Sequence, residues 1–217
     1  MIEHAALQAD KIRLVMQLRR NGVTDTRVLG AIEAVPREAF VSDAFIDQAY
    51  ADRPLPIAND QTISQPTIVA IMTSELQVND RHTVLEIGTG SGYQAAILAK
   101  LARRVHTIER HEGLYKTACA RFEAMGLRNI TTHLGDGSKG WSRAAPYDRI
   151  MVTAAAASLP DKLLEQLAPD GIMVVPLGAE GGVQKLFRIT REGETFVKTP
   201  LSDVRFVPLV EEKELKD

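Results

Sequence analysis

Leu7, Leu14, Val15 and Leu18 recur at the spacing of one helical face, and Asn21-Gly22 is a stop signal behind them. Thr24 is expected to cap a second helix that carries Val28, Leu29, Ile32 and Val35 on one side and ends at Pro36. Ser42 is placed to cap a short third helix. Residues 51–65 hold Pro54, Pro56, Asn59 and Asp60 without periodicity, which predicts an extended loop. Pro66 suits the first turn of another helix, running to about Leu76.

From residue 83 the rhythm changes. Short apolar runs at 83–87, 105–108, 130–134, 150–153 and 172–177 alternate with helical stretches near 92–102, 111–125 and 160–168. Strands and helices in alternation predict a parallel sheet covered on both faces. Past Pro176 the pattern becomes strand, turn, strand: 184–190, a turn near Gly193, then 195–198, an antiparallel hairpin closing one sheet edge. The chain therefore divides into a helical region over 1–80, packed on an α/β core over 81–217.

The balance of 26 Lys and Arg against 28 Asp and Glu gives a formal charge of -2 in 217 residues, with no basic footprint for a phosphate backbone. Nucleic acid is not an expected partner, and Arg103-Arg104 and Arg110-His111 read as solvated element ends. Met1-Ile2-Glu3-His4 lacks the basic start and apolar run of a signal peptide, and no apolar stretch approaches the roughly 20 residues that cross a bilayer. A cytoplasmic monomer, away from any membrane, is expected. Cys119 stands alone, reads as a buried small apolar residue, and excludes an internal disulfide. The histidines show no metal-ligand spacing, so no metal is expected.

The segment from Val84 to Tyr93 runs from a strand through Gly88, Thr89, Gly90, Ser91 and Gly92 into a helix. Glycines there allow close approach of a ligand to the backbone. The nicotinamide fingerprint would need glycine at 93, where this chain has Tyr93, and a P-loop would need a Lys that is absent. Glu86, Glu109 and Asp136 each fall near the carboxyl end of a predicted strand, where open parallel sheets bind ligands. Three carboxylates repel a phosphate but suit S-adenosylmethionine, which carries a sulfonium and an ammonium. Glu109 is placed to accept from the ribose hydroxyls, and Asp136-Gly137 to hold the adenine edge. A nicotinamide-dependent oxidoreductase stays open as the alternative, because Glu109 can also bind that ribose, although the absence of glycine at 93 counts against it.

The Gly88-Thr89-Gly90-Ser91-Gly92-Tyr93 core resembles protein-L-isoaspartate O-methyltransferases. So do Gln61-Thr62-Ile63-Ser64-Gln65-Pro66, Gly135-Asp136-Gly137 with Gly140-Trp141, and Val204-Arg205-Phe206-Val207-Pro208-Leu209. The resemblance implies a class I methyltransferase-like, doubly wound, mainly parallel seven-stranded sheet with an N-terminal helical extension. It implies methyl transfer from S-adenosylmethionine to the free α-carboxylate of L-isoaspartyl residues, and to D-aspartyl residues in many members. The partners would be damaged proteins and peptides, whose methyl ester then collapses to a succinimide. By the same matching Ser64 takes the active-site serine position. Thr62, Ile63, Glu109, Asp136 and Gly137 take cofactor positions beside Gly88, Thr89 and Gly90, and Phe206, Val207, Pro208 and Leu209 border the peptide cleft. This chain departs from the family at Ala58 and Asp60, which replace two loop glycines, and at Ala156 and Ala157, where a proline is common.

A carboxylate is already ionised at neutral pH and needs no general base. The protein's work is then alignment, which can be worth roughly 7–11 kcal/mol. Ser64 lies just before the Pro66 helix, whose N–H groups favour an anion; its hydroxyl and those groups are expected to position the substrate carboxylate. The competing reading is a plain N-cap serine. Trp141 is a candidate to pack over the adenine pocket or in the core, and Arg205 to pair with a substrate carboxylate or face solvent. A methyltransferase for small molecules or RNA, and a non-catalytic cofactor-binding module, are the remaining alternatives.

Overall fold

In the computed structural model, strand β3 (Thr83–Ile87) is the third of seven in a sheet ordered β5-β4-β3-β6-β7-β8-β9. The structure describes residues 2–179 and 181–210, with side chains from residue 6 onward, so His4 and the N-terminal leader expectation lie outside the described side chains. β3 pairs in parallel with β4 (Arg104–Glu109) on one side and β6 (Tyr147–Val152) on the other. β5 (Ile130–Leu134) and β7 (Leu167–Leu177) continue the parallel sheet outward. β8 (Gln184–Glu192) and β9 (Thr195–Val204) finish it as an antiparallel pair. The reversal of strand order at β3 opens a crevice at its carboxyl end.

Successive β3 residues serve opposite faces. Val84 joins a core with Leu18, Ile32 and Leu98, from helices α1 (Ile2–Arg20), α2 (Thr26–Ala34) and α4 (Tyr93–Leu101). Leu85 joins the opposite core with Ile150, Met173 and Leu163 of α6 (Asp161–Leu164). α4 is buried from Tyr93 through Ala99, because β4 and β5 lie on one side and α2 on the other. A fully buried Leu or Ile contributes about 1.5–3 kcal/mol, and the N-terminal helices are held both by the packing of α2 on α4 and by that of the Pro66–Leu76 helix on β6 and β7.

The structure departs from the sequence expectation in four places. Asp25, not Thr24, caps α2: its Oδ1 accepts from Arg27 N at 2.9 Å and Val28 N at 3.4 Å, and its Oδ2 pairs with the Arg27 guanidinium at 3.0 Å. Ser42 does precede a 3-10 helix (Asp43–Gln48), but its hydroxyl makes no capping bond. The loop over 51–65 contains a small hairpin, β1 (Leu55–Pro56) with β2 (Thr62–Ile63). The helix expected over 160–168 stops at Leu164, because Leu167 enters β7 and pairs with Tyr147. Helix α3 (Pro66–Leu76) starts and ends where the sequence put it.

Replacing Asp25 by Ala should lower stability by about 0.5–2 kcal/mol, while Thr24→Ala should stay within about 0.5 kcal/mol of the parent. Urea denaturation of the two variants checks the assignment; equal losses would return the cap to Thr24.

Candidate active site

The β3–α4 turn leaves the sheet at the crevice. Gly88 takes φ +92°, and a Cβ there would stand 2.5 Å from Thr153 Oγ1, so only glycine fits. Thr153 Oγ1 lies 2.8 Å from the Ile87 carbonyl and 2.7 Å from that of Gly88, fastening the turn to the end of β6. From β4, Glu109 Oε2 accepts from Gly90 N and Oε1 from His111 N, each at 2.8 Å. Those bonds occupy two of about four acceptor positions on an ionised carboxylate. Glu109 lines the cavity with its remaining capacity, beside Gly88, Thr89, Gly90 and Gly137. A ligand offering a pair of hydroxyls fits that donor-hungry wall, and the glycine cradle leaves room that any Cβ would fill.

The hairpin closes the cavity from above. Thr62, Ile63 and Ser64 line it, and the Ile57 side chain packs 3.7 Å from where a Cβ on Gly90 would lie. The hairpin tip turns through Asn59 at φ +60° and Asp60 at φ +55°. These are the left-handed angles of a type I′ turn, which Asn and Asp take at less cost than other non-glycine residues. Asp60 thus serves where the family has glycine, and Ala58 is not in the left-handed region. At the other departure, Ala156 N donates to the Pro176 carbonyl at 3.0 Å, a bond a proline at 156 would lack.

The C-terminal tail forms the third wall. Ala155 N donates to the Val207 carbonyl at 2.8 Å and Leu209 N to the Ala155 carbonyl at 2.7 Å. Val207, Pro208 and Leu209 line the first cavity, whereas Phe206 faces a second one. Ser64, Thr62, Thr153 and Val207 border both, so the two cavities meet at these residues. The Ser64 hydroxyl makes no hydrogen bond to a described side chain or backbone group, and the cap position of α3 belongs to Gln65. The plain N-cap reading therefore does not hold. The expected anion site on the helix end needs correction too: Thr67 N donates to Asp52 Oδ1 at 2.8 Å, so a carboxylate already takes that N–H.

Two expected cofactor carboxylates lie elsewhere. Glu86 alternates with Ile87, and it is Ile87 that lines the cavity. The Glu86 side chain is fully buried behind the turn, where the Thr107 hydroxyl donates to Oε2 at 2.5 Å. Burial pushes its pKa up to about 8, against the Thr107 bond and with help from the Glu109 charge, so it is mostly neutral at pH 7. Asp136 turns its carboxylate inward to cap the 3-10 helix Gly137–Lys139, accepting from Ser138 N at 2.9 Å and Ser138 Oγ at 2.7 Å. Only the backbone-level neighbour Gly137 reaches the cavity.

Trp141 does not line the cavity. Its ring stacks on His133 at 3.9 Å, and His133 Nε2 lies 3.1 Å from His106 Nδ1. Arg205 is exposed on the rim of the second cavity, and Cys119 is half-buried rather than buried. No group of three or more potential metal ligands occurs among the described residues. Sequence reasoning missed Thr153, whose position at a strand end carries no distinctive signal. It also missed Arg37, next to Glu38 in the segment from Val35 to Val41, which is fully buried in the structure.

Burial, then the charges of His133 and Arg104, push His106 down to about 4. An unfolded histidine titrates near about 6.5. The unfolded state therefore takes up protons first, so this stabilisation is complete above about pH 6.5 and fades as pH falls toward 4. Thermal denaturation should show a shallower loss between those limits in His106→Gln than in the parent. An identical slope would remove His106 from the acid response.

The family model described as Protein-L-isoaspartate(D-aspartate) O-methyltransferase matches residues 9–214. A protein-L-isoaspartate O-methyltransferase of Paramagnetospirillum magneticum is 58% identical over 201 residues, covering 92% of this chain and 94% of the relative. One of Rhodospirillum rubrum is 57% identical over 203 residues, covering 93% of each. Among solved structures, a protein-L-isoaspartate O-methyltransferase superposes with a TM-score of 0.85 at 26% identity, over 93% of this chain and 66% of that one. A Plasmodium falciparum protein described as a putative member, in complex with S-adenosyl-L-homocysteine, shares the fold with a TM-score of 0.80 at 24% identity, over 92% and 98%.

Proposed function

The chain belongs to the protein-L-isoaspartate(D-aspartate) O-methyltransferase family, and from that premise we infer how its own residues carry the reaction. The enzyme transfers the methyl group of S-adenosylmethionine to the free α-carboxylate of L-isoaspartyl residues in proteins and peptides. When bound, the cofactor supplies an electrophilic methyl on a sulfonium.

The observation that carries the residue assignment is the meeting of the two cavities at Ser64. We assign the first cavity to the cofactor. There Glu109 accepts from its ribose, Gly88, Thr89 and Gly90 follow its backbone-facing side, and Thr62, Ile63 and Gly137 complete the wall. The second cavity takes the peptide, with Phe206 and Val207 on its border. Ser64 turns its free hydroxyl to the junction and donates to the substrate carboxylate, fixing one oxygen in line for attack. No general base is required, since the nucleophile arrives ionised. Val207, Pro208 and Leu209 cover the cofactor side and exclude water.

In this division of labour residues 1–80 deliver Ser64 and, through Thr62 and Ile63, one wall of the cofactor cavity, and residues 81–217 supply the rest. The acceptor is a protein or peptide rather than a nucleic acid, which the formal charge of -2 supports. We propose that the enzyme acts as a monomer in the cytoplasm. No helix among the described residues is long and apolar enough to cross a membrane.

Two peptides that differ only in an aspartyl or isoaspartyl linkage, incubated with methyl-labelled S-adenosylmethionine, test the reading. The isoaspartyl peptide alone should gain a base-labile methyl ester. Ser64→Ala should cut that turnover about 10- to 100-fold, the worth of one hydrogen bond to a charged group, with the melting temperature unchanged. Equal labelling of both peptides would refute the substrate assignment, and undiminished turnover would refute the role of Ser64.

A further inference from the structure

Arg37 is fully buried, yet among the described residues no carboxylate is bonded to it. Its Nε donates to the Ala49 carbonyl at 2.8 Å and its Nη2 to the Ser64 carbonyl at 2.8 Å. Its guanidinium carbon lies 4.8 Å from the ring centre of Tyr93, the first residue of α4 after the glycine turn. Among the described residues Nη1 makes no hydrogen bond, and the buried Tyr93 hydroxyl is the polar group that interacts with the guanidinium most strongly. Burial lowers its pKa, while the nearby Tyr93 and Asp52 oppose that shift, and an arginine remains charged in any case.

A buried cation without a bonded counter-ion is an expensive way to fill space, and an apolar side chain of similar volume often serves stability as well or better. What a guanidinium adds is its rigid planar fork of donors. Here that fork joins the end of the 3-10 helix Asp43–Gln48, the main chain of Ser64, and the ring beside the glycine turn. Upstream, Ser64 is already held by the Leu55–Ile63 pairing of the hairpin. Arg37 fixes it downstream, at its carbonyl, and leaves the hydroxyl free.

We propose that Arg37 is a positioning residue for methyl transfer: it locks the Ser64 main chain against the cofactor turn so that the hydroxyl stands where the two cavities meet. The proposal rests on the role of Ser64 given above. Arg37 touches neither cofactor nor substrate in this account and acts only through Ser64.

A double-mutant cycle on the isoaspartyl peptide tests it, with kcat measured well below the melting temperature of every variant. Arg37→Lys keeps the charge but not the fork, and Arg37→Gln replaces it should the lysine variant fail to fold. The substitution should lower kcat about 10-fold or more, since small misplacements are costly. In a Ser64→Ala background the same substitution should cost no more than about 2-fold further, the mark of two residues acting as one unit. Full additivity, or a lower melting temperature with kcat intact, would overturn the proposal and reduce Arg37 to a structural residue. A Ser64→Ala enzyme as active as the parent would overturn the Ser64 reading and the Arg37 proposal together, so the two failures are distinguishable.

Discussion

Two hydrogen bonds to one carboxylate organise the glycine turn and the cavity beside it. Glu109, at the end of β4, holds Gly90 N and His111 N at 2.8 Å each. The first bond shapes the glycine turn and the second orders the entry to α5 (Glu112–Ala124). The same side chain then faces the cavity with acceptor capacity to spare. Charge-assisted bonds of this kind are roughly twice as strong as neutral ones, so the turn is set before any ligand arrives. Thr153 secures the turn from the opposite strand, and the steric demand at Gly88 follows from that contact.

The rest of the site reflects the charge of the reaction. A cationic methyl donor meets an anionic acceptor, and the protein has to align them without adding competing charge. Of the three strand-end carboxylates, Glu109 is the one that lines the first cavity. Burial keeps Glu86 mostly neutral at pH 7, and Asp136 is committed to its own helix cap. Asp52 already occupies Thr67 N in the first turn of α3, while Ser64 lines both cavities with its hydroxyl unbonded among the described residues. The neighbouring walls come from segments distant in sequence: the hairpin over Gly90 and the tail beside Ala155.

Much of this was legible in the sequence, for physical reasons that can be named. The strands at 83–87 and 130–134 carry apolar or β-branched runs with clear punctuation, and Pro66 fixes the start of α3, so those boundaries matched. The glycine turn was readable because its backbone angles exclude side chains. Side-chain direction was not readable at the same level. Position 86 at a strand end suggested a ligand contact, but the two-residue alternation sends it behind the turn and gives the cavity to Ile87. Asp136 followed a different rule, since an Asp before a short helix satisfies its N–H groups first. Arg37 and Thr153 act through contacts with residues 27 and 66 positions away, which local pattern cannot supply.

The central claim is that Glu109 contacts the cofactor and Glu86 does not. Calorimetric titration with S-adenosylhomocysteine of the parent, Glu109→Gln and Glu86→Gln measures this directly. The account predicts affinity weakened about 10- to 100-fold by Glu109→Gln, the range for a hydrogen bond to a charged group, and little changed by Glu86→Gln. Unchanged binding in Glu109→Gln, or a larger loss in Glu86→Gln, would contradict it.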